Sequence, residues 1–370
     1  QLLVLAGTVD QQVDLHGIGT VVPALADRLA ALLREGGETN MARLLDAIQA
    51  LLNGTPPDSE EIEVVPLADP FPWDWQDDPG STVGVVLYRA QLQAGDTALA
   101  QQLNQALRER GLRPRLIWVS SLRDPAVQAG VLDLLRSQGA QVVITGTAFA
   151  SVSTEQAGLG SALWDNLDRP VLQLLTASTS RERWLESSRG LEPLDLSLQV
   201  VMPELDARVT TRPCAFRQAR PPLGGLATAI TTQQPDLDGI NWLVEHAACW
   251  IDLQDTPAEH RRVAMVLANY PVRDGRVANG VGLDTPASVV NIIGWLADAG
   301  YQLGEHPKPS NGDRLIASLL AGRTNSAEGR YRPPLDHLPL ETYQAWWDTI
   351  PSEAKARIVS RWGEPQHACD

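Results

Sequence analysis

The sequence predicts an α/β protein built around a parallel sheet. From Val83 onward, short apolar runs of strand length alternate with stretches whose apolar residues repeat at helical spacing. Such alternation produces a parallel sheet with helices on both faces, as in flavodoxin- and Rossmann-like units. A later strand, glycine-rich loop and helix, at residues 263–299, predict part of a second α/β unit. Before residue 52, apolar residues three to four apart predict a helical N-terminal segment.

Composition and pattern divide the chain into four segments. These are a helical segment belonging to a preceding domain (1–52), a linker (53–81), an α/β domain (82–215) and the helix-rich, truncated start of a second α/β domain (216–370). The first segment holds helices at 23–33 and 41–52. The linker is rich in proline and acidic residues. We expect its aromatic residues Phe71, Trp73 and Trp75 to pin it to a neighbouring surface.

The elements of the two α/β segments follow from the same patterns. Strands are predicted at 83–88, 116–119, 142–145, 171–175 and 197–202. Helices are predicted between them at 97–110, 125–137, 160–166 and 180–187. After a loop-rich connection at 203–238, the second segment should contain a helix at 237–254, a strand at 263–267, and helices from residue 286 to Gly300 and at 312–320, 340–347 and 352–362. Ligands of such sheets bind at the carboxyl ends of the strands.

The net charge and the cysteine content limit the class of protein to which the chain can belong. The net charge of −15 argues against nucleic acid as a partner, because phosphate binding needs clustered cations. No apolar run approaches the roughly 18–20 residues that cross a bilayer. The start of the chain lacks a basic segment and is too short for a signal peptide. Cys214, Cys249 and Cys369 form no CxxC pair, which indicates reduced thiols in a cytoplasmic protein.

The loop after the predicted strand 263–267 carries the strongest functional signal. Its glycines allow close approach of a ligand, and Thr285 and Pro286 are suited to the N-cap and first position of the next helix. A helix N-terminus after such a loop can bind anions. A P-loop is excluded because its lysine is missing: the chain has only Lys308 and Lys355. The glycine spacing also differs from the dinucleotide fingerprint.

The run LANYPVRDGRVANGVGLDTPAS, residues 267–288, resembles the signature segment of the cobaltochelatase large-subunit (CobN) family, which is related to the magnesium chelatase large subunit. It departs from the family pattern at Ala278, where glycine is usual. The magnesium branch lacks the VGLDTP run, which favours cobalt. Residues 85–124 and 200–213 resemble further family segments, as does the spacing of Tyr343, Trp347, Pro351 and Trp362-Gly363. The resemblance extends from about residue 80 to the last residue.

The resemblance implies an activity and partners. Family members insert Co²⁺ into hydrogenobyrinic acid a,c-diamide during cobalamin biosynthesis, and separate AAA+ ATPase and adaptor subunits hydrolyse ATP. The missing P-loop agrees with that division. Members also carry a histidine-rich segment that is not found in these residues. We therefore expect a fragment that is inactive alone, with its catalytic residues outside it. The alternatives are a magnesium chelatase large-subunit-like protein of chlorophyll biosynthesis, a non-enzymatic tetrapyrrole-binding scaffold, or a nucleotide-binding enzyme.

The resemblance also places the substrate-binding candidates in the signature loop. Its two arginines and helix N-terminus would suit the carboxylate and amide arms of a corrinoid. The candidates are Arg273, Asp274, Arg276, Asn279, Gly280, Gly282, Asp284 and Thr285. An equally open alternative is a glycine-rich connection in which Asp284 and Thr285 only cap the helix.

Three further residues are candidate metal ligands. His246 and Cys249 lie three apart on a predicted helix, and His260 follows it. No fourth ligand has suitable spacing, so structural roles are favoured and no metal site is predicted.

Overall fold

The computed structural model describes residues 2–5, 15–151, 162–220, 230–268, 274–304, 307–324 and 326–367. The chain divides into two compact units, Gln1–Asp255 and Thr256–Asp370. The first unit contains the sheet and runs past residue 215, where the sequence predicted the α/β domain to end. The reason is that the sixth strand crosses residue 215, and a seventh strand and a long helix follow it.

The first unit is a mixed α/β structure with a seven-stranded sheet. Its strands are β1 (Phe71–Trp73), β2 (Thr82–Tyr88), β3 (Arg113–Val119), β4 (Ala140–Thr145), β5 (Val171–Ala177), β6 (Val209–Arg220) and β7 (Ile230–Pro235). Its helices are α1 (Pro23–Glu35), α2 (Gly37–Leu52), α3 (Arg89–Gln93), α4 (Ala98–Glu109), α5 (Pro125–Ser137), α6 (Ala162–Leu167), α7 (Arg181–Glu186), α8 (Pro193–Leu196), α9 (Met202–Glu204) and α10 (Leu237–Asp255).

The strand order is β1-β3-β2-β4-β5-β6-β7, and only the two outermost pairs are antiparallel. The five central strands therefore have the flavodoxin-like order, in which chain direction across the sheet reverses between β2 and β4. Alternate strand residues face opposite layers. Val85 and Trp118 pack on one face with α4 and α10, and Val86 and Ile117 pack on the other with α5 and α6. The predicted parallel sheet with helices on both faces is confirmed.

The linker aromatics form an edge of this sheet. β1 pairs antiparallel with β3, and the Trp73 ring meets Trp118 edge-on at 5.8 Å. The Trp75 indole Nε1 donates to the Leu116 carbonyl at 2.9 Å, and the Arg115 guanidinium lies 5.5 Å from the Trp75 ring. The expectation that these aromatic residues pin the segment is confirmed.

The predicted N-terminal helices are also present. α1 and α2 pack together around Leu29, Leu32 and Leu44 in a core of their own. The buried Asn40 amide donates to the Val65 carbonyl at 2.7 Å and accepts from the Val65 N–H at 2.9 Å. This buried side chain, together with hydrogen bonds from Arg28 and Arg43, fastens the residues after α2 to the helix pair.

The predicted strand at 197–202 is wrong. This segment continues from α8 through a π-helical turn, Ser197–Val201, into α9. Pro193 lies in the first turn of α8, and the Asp195 carboxylate accepts from the Ser178 N–H and hydroxyl. A short apolar run cannot distinguish strand from helix by its periodicity. The remaining strands instead lie within residues 203–238, which the sequence analysis assigned to a loop-rich connection.

The second unit is helical where the structure describes it. Its helices are α11 (Thr285–Asp298), α12 (Gly312–Leu320), α13 (Leu340–Trp347) and α14 (Ser352–Trp362), with short 3-10 turns between them. The predicted strand at 263–267 is wrong as a paired strand: residues 261–268 have no regular secondary structure. A lone bridge joins Gly280 and Leu283. Among the described residues of the whole chain, no helix is long and apolar enough to span a membrane.

The two described cysteines should differ sharply in reactivity. Cys214 in β6 is fully buried, and burial raises the pKa of its thiol to about 12. Cys249 on α10 is exposed. Because the thiolate is the reactive form, iodoacetamide at pH 8 should modify Cys249 within minutes and spare Cys214 until the protein is unfolded. Peptide mapping by mass spectrometry measures both sites. Modification of Cys214 in the folded protein would contradict its burial.

Candidate functional site

The signature loop folds back on itself in front of α11. Residues Asp274–Arg276 form a 3-10 turn, and the Ala278 N–H donates to the Ala268 carbonyl at 3.0 Å. The Gly280–Leu283 bridge closes the second half of the loop, with Gly282 at a φ of 75°. Only glycine adopts that conformation without strain. The loop is therefore held by its own backbone.

The Asp274 carboxylate forms hydrogen bonds with a neighbouring turn of the second unit. Its Oδ2 accepts hydrogen bonds from the Ser326 hydroxyl at 2.8 Å and the Thr324 hydroxyl at 3.1 Å. The Arg332 guanidinium lies 3.6 Å from the same oxygen. The Ser326 hydroxyl in turn accepts from the Gly329 N–H. This predicted site residue thus has a structural role, joining the loop to Thr324 and to the turn at residues 326–332.

Asp284 caps α11, and Thr285 is the first helical residue rather than the predicted N-cap. The Asp284 carboxylate accepts from the Ala287 N–H at 3.0 Å, and its carbonyl accepts from the Ser288 N–H. Pro286 has no N–H to offer. Few donors of the first turn remain for a ligand, and the Asp284 carboxylate would repel an anion. This arrangement argues against a phosphate at the helix N-terminus.

The glycine and alanine positions explain how tightly the loop packs. A Cβ at Gly280 would lie 2.8 Å from the Thr285 hydroxyl, so a side chain at this position would crowd Thr285. Ala278 is buried with a φ of 59°, a left-handed conformation that disfavours residues with a Cβ. The resemblance departs from the family pattern at this residue, and the glycine usual there would adopt the conformation without strain.

Two polar side chains of the loop stay available. Arg276 and Asn279 are exposed, and neither side chain has a hydrogen-bond or ion-pair partner in the part of the chain that the structure describes. Val281 and Leu283, which the sequence analysis did not single out, project beside them and are also exposed. Apolar residues within an otherwise polar glycine loop were the signal that could have identified them. Arg273 lies outside the described residues.

The candidate metal ligands have other contacts. The His246 ring stacks on Trp242 with ring centroids 4.9 Å apart and meets Trp250 edge-on. His260 belongs to the second unit, where it lies 3.8 Å from the Glu259 carboxylate. Within the described ranges no three His, Cys, Asp or Glu side chains form a group that could hold a metal.

The first unit contains a buried polar cluster that the sequence analysis missed. The Asp206 and Arg208 side chains are fully buried and form an ion pair at 2.6 Å. Arg208 also donates to the Thr147 carbonyl at 2.8 Å and to the Gln173 side chain at 3.0 Å. The Asp206 carboxylate accepts from the Ser151 N–H at 2.8 Å.

This cluster lies at the carboxyl end of β4, beside the reversal of strand order. There the Tyr88 hydroxyl, at the end of β2, donates to the Ala148 carbonyl at 2.7 Å. Burial raises the pKa of Tyr88, and burial lowers the pKa of the Arg208 guanidinium against the opposing effect of Asp206. The available signal was an acid and a base two residues apart, Asp206 and Arg208.

Nearly the whole chain is similar to known proteins. Residues 30–370 match the family model described as CobN/Magnesium Chelatase. An aerobic cobaltochelatase subunit CobN from Sinorhizobium sp. is 33% identical over 99% of this chain and 30% of its own length. The chloroplastic magnesium-chelatase subunit ChlH of Oryza sativa subsp. indica is 23% identical over 78% of this chain and 20% of its own length.

A solved structure shows the same architecture. The catalytic subunit of cobaltochelatase from Mycobacterium tuberculosis superposes with a TM-score of 0.70 and 26% identity, covering 95% of this chain and 29% of that one. The chain thus spans about 30% of the length of the cobaltochelatase relatives. By the extent of these matches, the chain belongs to the CobN/magnesium chelatase family.

Proposed function

We propose that residues 1–370 are part of the large subunit of an ATP-dependent cobaltochelatase that inserts Co²⁺ into hydrogenobyrinic acid a,c-diamide. The higher identity to a cobaltochelatase subunit than to a magnesium-chelatase subunit supports cobalt as the substrate metal. ATP is hydrolysed by separate AAA+ and adaptor subunits in the cytoplasm. Because the chain spans about 30% of its relatives, it does not insert metal by itself.

The observation that carries this proposal is that some residues of the signature loop hold the loop together, whereas others are exposed to a ligand. Asp274, Asp284, Gly280 and Gly282 build the loop, whereas Arg276 and Asn279 are exposed and unpaired among the described residues. A guanidinium binds a carboxylate with two parallel hydrogen bonds, and an asparagine amide both donates to and accepts from a carboxamide. These groups match the acid and amide arms of the corrinoid.

The neighbouring apolar residues extend the match. Val281 and Leu283 offer exposed aliphatic surface to the face of a macrocycle. Metal insertion also requires bases that accept the protons of the ring nitrogens. Both loop carboxylates with described positions are occupied by backbone or side-chain donors. We therefore assign substrate binding to this loop and place the proton transfer in another part of the subunit.

Replacing Arg276 by alanine in the full-length subunit is expected to weaken corrinoid binding about 10- to 100-fold, the value of a charge-assisted hydrogen bond of about 1.5–3 kcal/mol. Asn279→Ala should weaken it less, because a neutral hydrogen bond contributes less. Absorbance titration of the corrinoid gives both dissociation constants. The control is Arg357→Ala, which removes an exposed arginine of α14, outside the loop. Equal affinity of the Arg276 and Arg357 variants would refute the assignment.

One assay separates a cobaltochelatase from a magnesium chelatase and from a tetrapyrrole-binding scaffold. The full-length chain is combined with its ATPase and adaptor subunits, ATP, tetrapyrrole and either Co²⁺ or Mg²⁺. Insertion of cobalt alone supports the proposal, and insertion of magnesium supports a magnesium chelatase. Tight tetrapyrrole binding without insertion of either metal supports a scaffold.

A further inference from the structure

The first unit contains a cavity of about 410 Å³ at the amino ends of two neighbouring strands. Val171 begins β5 and Val209 begins β6, and both residues line the cavity. Trp164 of α6 and Trp250 of α10 contribute its aromatic walls. Ligands of such sheets are expected at the opposite, carboxyl edge, so the fold class does not account for this cavity. Its volume is sufficient for a small organic molecule.

Three side chains in the wall carry buried polar atoms that have no hydrogen-bond partner in the described part of the chain. These atoms are the carboxylate Oδ1 of Asp206 and the indole Nε1 of Trp164 and of Trp250. Asp206 binds Arg208 and Ser151 through its other oxygen, Oδ2. Buried polar groups of native proteins are nearly always paired. One acceptor and two donors without partners around a single cavity therefore indicate a missing ligand.

The backbone of the wall is strained at two positions. Ala207 has a φ of 54° and Asp168 a φ of 53°, and both residues line the cavity. The left-handed conformation disfavours residues with a Cβ. Backbone strain of this kind is concentrated at ligand sites. Two strained residues beside the unpaired atoms support a binding site over an accidental gap in the packing.

The charges around the unpaired atoms determine which chemical group fits. Asp206 is neutralised by its ion pair with Arg208, whose guanidinium lies 5.7 Å from the Trp164 ring. An ammonium group would meet that guanidinium, and a carboxylate would meet Asp206 and the exposed Asp165 and Asp168. An uncharged primary carboxamide avoids both conflicts. Its NH₂ group donates to a carboxylate oxygen, and its carbonyl accepts from an indole N–H.

Arg169 does not reverse this preference. Its guanidinium also lines the cavity, but it donates to the Gln254 side chain at 3.5 Å. With Asp165 and Asp168, the exposed part of the wall has two carboxylates and one guanidinium, which leaves one negative charge. Tryptophan rings offer flat apolar surface, which favours a planar body next to the carboxamide.

We propose that this cavity binds a small molecule that carries a primary carboxamide on a planar body. The carboxamide donates to Asp206 Oδ1 and accepts from the indole of Trp164 or Trp250, and the body lies against the two rings. The inference does not rest on the proposed function, which uses the signature loop of the second unit. The arms of the corrinoid carry the same chemical group, so the test has to distinguish the corrinoid from a separate ligand.

Calorimetric titration of the full-length subunit with benzamide, benzoate and benzylamine tests this inference. The three compounds share one ring and differ in a head group that is an amide, a carboxylate or an ammonium. Benzamide should show saturable binding. It should bind at least about 10-fold more tightly than the other two, because only the amide pairs with both an acceptor and a donor of the wall.

Two variants test the contact with the wall. Trp164→Phe and Trp250→Phe keep an aromatic ring and remove one indole N–H each, and at least one of them should weaken benzamide binding about 3- to 10-fold. Trp184→Phe is the matched control, because the Trp184 Nε1 is also buried without a partner among the described residues but lies elsewhere in the first unit. It should leave the affinity unchanged. Thermal unfolding checks that each variant is folded.

Three outcomes would overturn the inference. The first is the absence of saturable benzamide binding, since the cavity would then hold only water. The second is equal affinity for the three compounds. The third is an effect of Trp184→Phe as large as that of the two wall variants, or no effect of either wall variant.

Competition with the corrinoid distinguishes the two sources of the carboxamide. Displacement of benzamide by hydrogenobyrinic acid a,c-diamide would assign the cavity to an amide arm of the corrinoid. Undiminished benzamide binding at saturating corrinoid would assign it to a separate carboxamide ligand. Benzamide binding by a full-length subunit that binds no corrinoid would support this site and refute the proposed function.

Discussion

Replacing Asp206 by alanine is expected to lower the free energy of unfolding of the first unit by about 3–5 kcal/mol. The substitution leaves the Arg208 guanidinium fully buried without its counter-charge. It also removes the acceptor of the Ser151 N–H. Among the described residues, the arginine would keep only the neutral acceptors on Thr147, Gln173 and Phe149, which cannot balance a buried positive charge.

Two further variants separate charge from packing. Asp206→Asn keeps an acceptor for Ser151 and Arg208 and removes only the charge. It should therefore lower the free energy of unfolding less than Asp206→Ala does. The double variant Asp206→Ala/Arg208→Met removes both charges and keeps much of the arginine volume, so it should regain stability relative to Asp206→Ala. Hydrogen exchange at the β4 amides under increasing denaturant reports the first unit alone. A double variant less stable than Asp206→Ala would show that the ion pair is not the source of the loss.

Replacing Trp118 by alanine is expected to lower the free energy of unfolding of the first unit by about 3–5 kcal/mol, the range for large aromatic residues in cores. Trp118 is fully buried in β3 and packs against Trp73 of the edge strand β1. The cavity should therefore also loosen β1, and residues 71–75 should become sensitive to protease. Trp118→Phe should cost about 1–2 kcal/mol, because the indole Nε1 has no partner to lose among the described residues.

The same exchange experiment, read at the amides of β2, measures this loss. Trp242→Ala provides the matched control, because Trp242 lies in the same unit and is 40% exposed. Trp242→Ala should lower the free energy of unfolding by less than about 1 kcal/mol. Equal losses for the two tryptophans would contradict the central position of Trp118 in the core.

The local pattern of apolar residues was sufficient to predict a strand where the strand itself is a continuous apolar run. The apolar runs of β2 and β4 predicted buried parallel strands, because strands covered on both faces read as continuous apolar stretches. Pattern was insufficient for β6, which begins with the polar sequence Val-Thr-Thr-Arg and was assigned to a loop. Its placement depends on pairing with β5 and on cover from α10, which are long-range contacts. The helical segment 197–202 was misassigned for the complementary reason, an apolar run without a decisive period.

The candidate site shows the same limit at the level of single residues. The sequence identified the loop and its polar residues, yet it treated Asp274 and Arg276 as equivalent ligands. The fold distinguishes them, because the hydroxyls of Thr324 and Ser326 occupy Asp274, whereas Arg276 is exposed. Spacing along the chain contains no information about a partner some fifty residues away.

By itself, the sequence determined the α/β class, the parallel central strands and the family signature, because these depend on local periodicity and on a contiguous motif. The tertiary structure alone decided which loop side chains are unpaired among the described residues, where the buried Asp206–Arg208 pair lies, and that residues 263–267 have no regular secondary structure. Each of these depends on contacts between residues far apart in the chain, and only the folded backbone brings such residues together or leaves them apart.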